Sequence, residues 1–149
     1  MIDSSIGNAI FYIKFKVHGR DVRALYEKML PIYFARMMYK SIKSKVYGKL
    51  AGATILEYTL DEVLLTLRTD FQTLETMLGH GKPFLFGMTP TIADFTLFGH
   101  LSVVFYLPFS NPVQNLLNEE FPLVKAHLKI MMKNYFPEYE TLPDLGYIR

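Results

Sequence analysis

Apolar side chains recur along most of this chain at the three- and four-residue spacing of amphipathic helices. The clearest case begins at Thr59, where Thr59 and Glu62 form the Thr-x-x-Glu pattern of a capping box. The apolar stripe behind this box consists of Leu60, Leu64, Leu67, Phe71, Leu74 and Leu78. Gly79 stands where a left-handed C-terminal cap would close the helix. The pattern therefore predicts a helix from Thr59 to Gly79.

Three further segments show the same helical period. The first has Pro31 in its first turn and Gly48 near its end. Its apolar face consists of Ala35, Met38, Tyr39, Ile42 and Val46. The second is short, with Asn111 as its N-cap and an end near Glu120. The third ends before Pro137, and its apolar stripe consists of Val124, Leu128, Met131 and Tyr135.

The first twenty residues fit a different pattern. Apolar Phe11, Ile13, Phe15 and Val17 alternate with more polar neighbours, which on pattern alone favours a β-strand. A single strand among helices would have no sheet to join. The pattern and its context therefore disagree in this segment.

Asp94 lies in the most hydrophobic stretch, FLFGMTPTIADFTLFGH over residues 84–100. Thr91 and Asp94 form a second capping box, in which the carboxylate would satisfy backbone donors at the positive end of a helix dipole. A catalytic role would need a second acid, base or ligand beside it. The nearest candidate in sequence, His100, falls on the opposite side of the helix. We therefore predict structural capping by Thr91, Asp94, Thr59 and Glu62.

Composition limits the other possibilities. With 149 residues, half of them hydrophobic, the chain fits a single domain over 1–149 with an irregular tail over 137–149. A net charge of +2 does not favour a nucleic-acid binder. The absence of cysteine excludes disulfides and thiol nucleophiles. The N-terminus has neither a signal-peptide nor a transit-peptide pattern, so we expect a cytoplasmic protein without a transmembrane segment.

No pattern of catalytic or metal-binding residues emerges. His18, His80, His100 and His127 fall in separate predicted elements, without an i, i+4 pair or HExxH spacing. No serine stands in a GxSxG context. We expect solvated or core-satisfied imidazoles, no metal site and no catalytic residue.

One stretch of charge does suggest binding. Acidic residues are absent between Lys28 and Glu57, and Arg36, Lys40 and Lys43 share one helical stripe with Tyr47. The basic face from Arg36 to Lys49 could meet an acidic partner, anionic lipid or RNA. The alternative is a solvated helix face whose opposite side packs in the core.

The run GKPFLFGMTPTIADFTLFGHL, followed by EEFPLVKAHLKIMMKNYFPEY, resembles the C-terminal helical domain of glutathione S-transferases. It is most similar to the branch of failed-axon-connections-like and metaxin-like proteins, and the resemblance is strongest over residues 59–137. It implies an all-α bundle of roughly six or seven helices around a central buried helix starting near Thr91. It also implies that residues 4–18 form the first helix rather than a strand.

The resemblance also carries expectations about function. The thioredoxin-like domain that binds glutathione in this family has no counterpart among these residues. We therefore expect a non-catalytic interaction or scaffold module without a cofactor, whose partner is a protein, such as a thioredoxin-like domain or a second copy. The alternative is part of a glutathione-dependent transferase that contributes the acceptor-substrate side. In that fold a hydrophobic cleft would be lined by Tyr33, Phe34, Tyr39, Phe105 and Tyr147.

Overall fold

A computed structural model describes residues 1–140, and these contain helices and no β-strand. The first helical run consists of a wide π-helical segment, Ile2–Ile6, then α1 (Gly7–Tyr12) and a second π-helical segment, Ile13–Val17. The helices that follow are α2 (Gly19–Met29), α3 (Ile32–Gly52), a 3-10 turn (Ile55–Glu57), α4 (Leu60–Leu78), α5 (Ile92–Phe105), α6 (Pro112–Glu119), α7 (Pro122–Tyr135) and α8 (Pro137–Glu140). The all-α prediction is confirmed.

The strand pattern near the N-terminus is wrong, and the helix implied by family resemblance is present. Ile6, Ile10 and Ile13 recur at helical spacing and are all fully buried. The alternation was misleading because Tyr12 is also buried, at 3% exposure. Its hydroxyl donates a hydrogen bond to the Tyr58 carbonyl at 2.8 Å. Tyr12 was counted as a polar position in the alternation, but its ring lies in the core because this bond satisfies its hydroxyl.

Several predicted helix ends need correction. Gly79 is right-handed, with φ −64° and ψ −8°, and among the described glycines it is Gly81 that has a positive φ. The helix after Pro31 continues past Gly48 to Gly52 because Leu50 extends its buried stripe. Pro31 is its N-cap rather than part of its first turn. Residues 137–140 form α8, so the irregular tail does not begin at residue 137.

The core lies where the first helical run, α4, α5 and α7 meet. From α5, Leu97, Leu101 and Val104 are fully buried. The stripe of α4 contributes its own fully buried residues to the same hydrophobic core, namely Leu67, Phe71 and Leu74. The central position predicted for the helix that follows Thr91 is therefore the one it occupies.

Helix α7 is capped by a side chain from another helix. Its N-cap residue, Phe121, provides no capping side chain. Instead the backbone N–H groups of Leu123 and Val124 donate to the Glu75 carboxylate of α4, at 2.8 and 3.0 Å. A carboxylate at a helix N-terminus satisfies free donors and interacts favourably with the helix dipole. Glu75 therefore fixes the start of α7 against α4.

Candidate functional site

The N-terminus of α5 is organised by Asp94, whose side chain is fully buried. Its Oδ2 accepts hydrogen bonds from the Thr91 N–H and hydroxyl, at 2.8 and 2.9 Å. Its Oδ1 accepts from the Leu85 N–H at 2.9 Å and lies 2.9 Å from His127 Nε2. One carboxylate thus joins the loop before α5, the start of α5 and the middle of α7.

The other capping box serves a single helix. The Thr59 N–H donates to Glu62 Oε2 at 2.7 Å, and the Glu62 N–H donates to Thr59 Oγ1 at 3.3 Å. All of these groups are exposed. The two Thr-x-x-acid motifs are therefore alike in sequence and differ in burial.

His127 is the residue that sequence reasoning did not connect with Asp94. It is 1% exposed, its ring lies edge-on to Phe84, and within the described residues its Nδ1 has no hydrogen-bond partner. His100, the nearer candidate in sequence, instead lies 2.9 Å from Asp3. No spacing rule links residues on α5 and α7. Because Asp94 and His127 are both buried and join α5 to α7, we predict that the pair contributes to stability.

Burial and hydrogen bonding set the charge of this pair. Burial raises the pKa of Asp94, but hydrogen bonds from the Leu85 and Thr91 N–H groups and from His127 outweigh it and hold that pKa below its ordinary value. Burial lowers the pKa of His127, and Asp94 offsets this only in part. Both groups bind protons more readily in the unfolded chain. Acidification therefore removes stability through both of them.

We expect the free energy of unfolding to fall as the pH drops below 6.5, the ordinary pKa of histidine. In His127→Gln this fall should be shallower, because the neutral amide can still donate to Asp94 and has no proton to gain. Urea unfolding at a series of pH values between about 7.5 and about 5 measures the slope. His80→Gln, at an exposed position, is the matched control. Equal slopes in the wild type and His127→Gln would contradict this assignment.

A basic cleft of about 510 Å³ lies between α2 and α3. The predicted stripe of Arg36, Lys40 and Lys43 lines it, and α2 adds Arg23. The sequence did not predict Arg23 as part of this cleft, because α2 is placed beside α3 only by the packing of the fold. Among the cleft residues, the Arg23 and Arg36 Nε atoms donate to Glu27 at 2.9 and 3.0 Å.

An apolar groove of about 1050 Å³ runs between α5 and α7. Its apolar lining includes Phe95, Phe98, Val103, Tyr106, Met132 and Phe136. The rings of Phe98 and Phe136 stack at 4.8 Å between centroids. Two cations, Lys129 and Lys133, stand at its edge. The groove can receive an apolar surface whose rim is acidic.

The hydrophobic cleft implied by family resemblance was predicted from five aromatic residues, of which the structure describes four. None of these four lines the α5–α7 groove, and only Tyr39 lines the basic cleft. Tyr33 and Phe34 are exposed by 85% and 49% on α3. Phe105 packs at the end of α5 against Tyr106. Tyr147 lies outside the described residues. The signal that could have found the groove is the apolar character of α5 on all its sides.

Two absences hold for residues 1–140. No group of three or more His, Asp or Glu side chains in this part of the chain could hold a metal ion. None of the helices described combines the length and apolar character that crossing a bilayer requires.

Comparison with known proteins agrees with the fold. Residues 67–131 match the family described as glutathione S-transferase, C-terminal domain. The chain is 28% identical over 113 residues to Failed axon connections of Drosophila melanogaster. The matched segment covers 74% of this chain and 26% of that protein. The chain therefore spans about a quarter of that relative's length. No solved structure matches significantly. Residues 67–131 are thus similar to a glutathione S-transferase C-terminal domain, and residues 1–140 have the all-α fold that this similarity implies.

Proposed function

We propose that this protein is a non-catalytic helical interaction module, whose α5–α7 groove binds a partner protein. The observation that carries this proposal is the exposure of α5. A helix that is hydrophobic on all sides is normally buried all round. Here Ile92, Phe95 and Val103 of α5 are exposed by 82%, 36% and 39%.

The lining of the groove fits a protein surface. Contiguous exposed apolar residues with a polar rim are typical of interaction sites, and aromatic residues are enriched in their centres. Phe95, Val103 and Tyr106, which are exposed by 36%, 39% and 46%, provide such a centre, with Lys129 and Lys133 as the rim. Favourable pairing with the two lysines requires an acidic edge on the partner.

Family resemblance indicates which partner to expect. Glutathione S-transferase-like proteins pair a C-terminal helical domain with a thioredoxin-like domain, and residues 67–131 match the C-terminal one. We propose a thioredoxin-like domain as the occupant, provided by another chain or by a longer form of the protein. The groove then serves as a domain interface.

A photo-crosslinking amino acid placed at Val103 tests this proposal in cells. We expect mass spectrometry to identify a thioredoxin-like protein crosslinked at this position. The matched control has the same amino acid at Leu65, which is exposed by 64% on α4 and lies outside the groove. Lys129→Glu/Lys133→Glu should weaken the crosslink at position 103.

Two outcomes would contradict the proposal. A crosslink to a second copy of the chain would make the groove a homodimer interface, and equal crosslinking at positions 103 and 65 would show no specific site.

A transferase role predicts that millimolar glutathione raises the unfolding temperature by several degrees, since a ligand at 100 times its Kd adds about 2.7 kcal/mol. We expect no such shift.

A further inference from the structure

The charges of this protein are divided unequally along its chain. Residues 1–58 contain ten Lys and Arg against four Asp and Glu, whereas residues 59–149 contain six against ten. The net charge of +2 is therefore the sum of a basic N-terminal part and an acidic C-terminal part. The basic part includes both helices of the basic cleft. An anionic partner would be attracted to that part of the molecule.

The basic cleft keeps a positive charge after its internal ion pairs are counted. Among residues 1–140 no carboxylate lines it, and Glu27 bonds to both Arg23 and Arg36, so one negative charge is shared by two guanidinium groups. The Lys43 ammonium lies 5.0 Å from the centre of the Tyr47 ring, which holds it in place without neutralising it. Lys40 is exposed beside it.

Apolar residues stand beside these cations on the outside of α3. Tyr33 and Met37 are one helical turn apart and are exposed by 85% and 63%. Lys40 follows after another turn, and Arg36 lies on the flank toward α2. Met29, at the end of α2, adds a further apolar side chain with 54% exposure. Cations and large apolar side chains are thus interleaved on one surface.

This mixture distinguishes between anionic partners. RNA or a soluble phosphate would interact with the cations but would gain little from exposed methionines. A bilayer surface uses both, because cations meet anionic headgroups while aromatic and aliphatic side chains enter the boundary with the acyl chains.

We propose that the α2–α3 face, defined as Arg23, Tyr33, Arg36, Met37, Lys40 and Lys43, docks the protein onto an anionic membrane surface. The cations contact lipid headgroups, and Tyr33 and Met37 insert between them. The face shares no residue with the α5–α7 groove. Membrane docking by the α2–α3 face and partner binding at the α5–α7 groove can therefore be tested independently.

Cosedimentation of the full chain with lipid vesicles tests this inference. We expect binding to vesicles of phosphatidylcholine with about 30% phosphatidylserine, and little binding to phosphatidylcholine alone. Raising the salt from about 0.05 M to about 0.5 M should release the protein, because the headgroup charges are then screened. Lys40→Glu/Lys43→Glu should lower the partition coefficient by about 20-fold or more, since each cation near such a surface contributes about fivefold.

Two further variants make the test specific. Lys129→Glu/Lys133→Glu changes the net charge by the same amount on the other surface and should bind vesicles far better than Lys40→Glu/Lys43→Glu. Tyr33→Ser/Met37→Ser should also weaken vesicle binding while leaving all cations in place. Circular dichroism checks that each variant is folded.

Two results would overturn the proposal that the α2–α3 face docks onto a membrane. Equal vesicle binding by the two charge-reversal variants would show that the α2–α3 face is not the contact. If Tyr33→Ser/Met37→Ser binds as well as the wild type and a homopolymer RNA displaces the vesicles, the face is a general polyanion site and not a membrane site.

Discussion

Replacing Asp94 with alanine is expected to lower the free energy of unfolding by about 3 to 5 kcal/mol. The substitution removes the acceptor for the Leu85 and Thr91 N–H groups and for His127, all of which are held against the buried carboxylate. Donors left unsatisfied inside a protein lose their full solvation without compensation. The loss should therefore exceed that of an ordinary helix cap, which is about 1 kcal/mol.

Chemical unfolding of the purified variants measures this loss, and Glu62→Ala is the matched control. Glu62 occupies the same position of the same motif at the start of α4 but is exposed, so its removal should cost much less. Asp94→Asn should fall between the two, because its oxygen can still accept from Leu85 whereas its amide group cannot accept from Thr91. Equal losses for Asp94→Ala and Glu62→Ala would show that the links to Leu85 and His127 contribute nothing.

The comparison of these two boxes shows where sequence reasoning ends. Local spacing predicts a capping box at Thr91 as readily as at Thr59, because such a box depends on residues three positions apart. The partner that distinguishes Asp94, His127, is 33 residues away and is brought there by the packing of α7 on α5. Such a contact has no periodic signature in a single sequence. The sequence therefore predicted the caps and not the buried pair.

The two candidate surfaces differ in the same way. The stripe of Arg36, Lys40 and Lys43 could be predicted because it follows one helix, whereas Arg23 joins it only through the packing of α2 on α3. The apolar groove left no amphipathic signal, since α5 is apolar toward the core and toward the groove alike. The apolar character of α5 is visible in the sequence, but which of its sides stays uncovered is decided by the packing of the neighbouring helices.

Phe71→Ala is the second substitution for which we expect a large effect, a loss of about 3 to 5 kcal/mol. Phe71 belongs to the apolar stripe predicted for α4, and it is fully buried. Its ring lies edge-on to Phe121, with 5.4 Å between centroids, at the point where α6 passes into α7. Its removal leaves a cavity between α4 and α7 and takes away a favourable aromatic contact.

Leu65→Ala is the control for Phe71→Ala, because Leu65 lies on the same helix, is also apolar and is exposed by 64%. Alanine is the better helix former in both variants, by about 0.7 kcal/mol at most, so a lower urea midpoint in Phe71→Ala than in Leu65→Ala measures the loss of burial. We expect Leu65→Ala to stay within about 0.5 kcal/mol of the wild type.

A small loss in Phe71→Ala would mean that α7 moves to close the cavity. Glu75→Ala, which releases the start of α7 from α4, should then reduce the stability of Phe71→Ala by more than that of the wild type, because the two residues hold the same pair of helices.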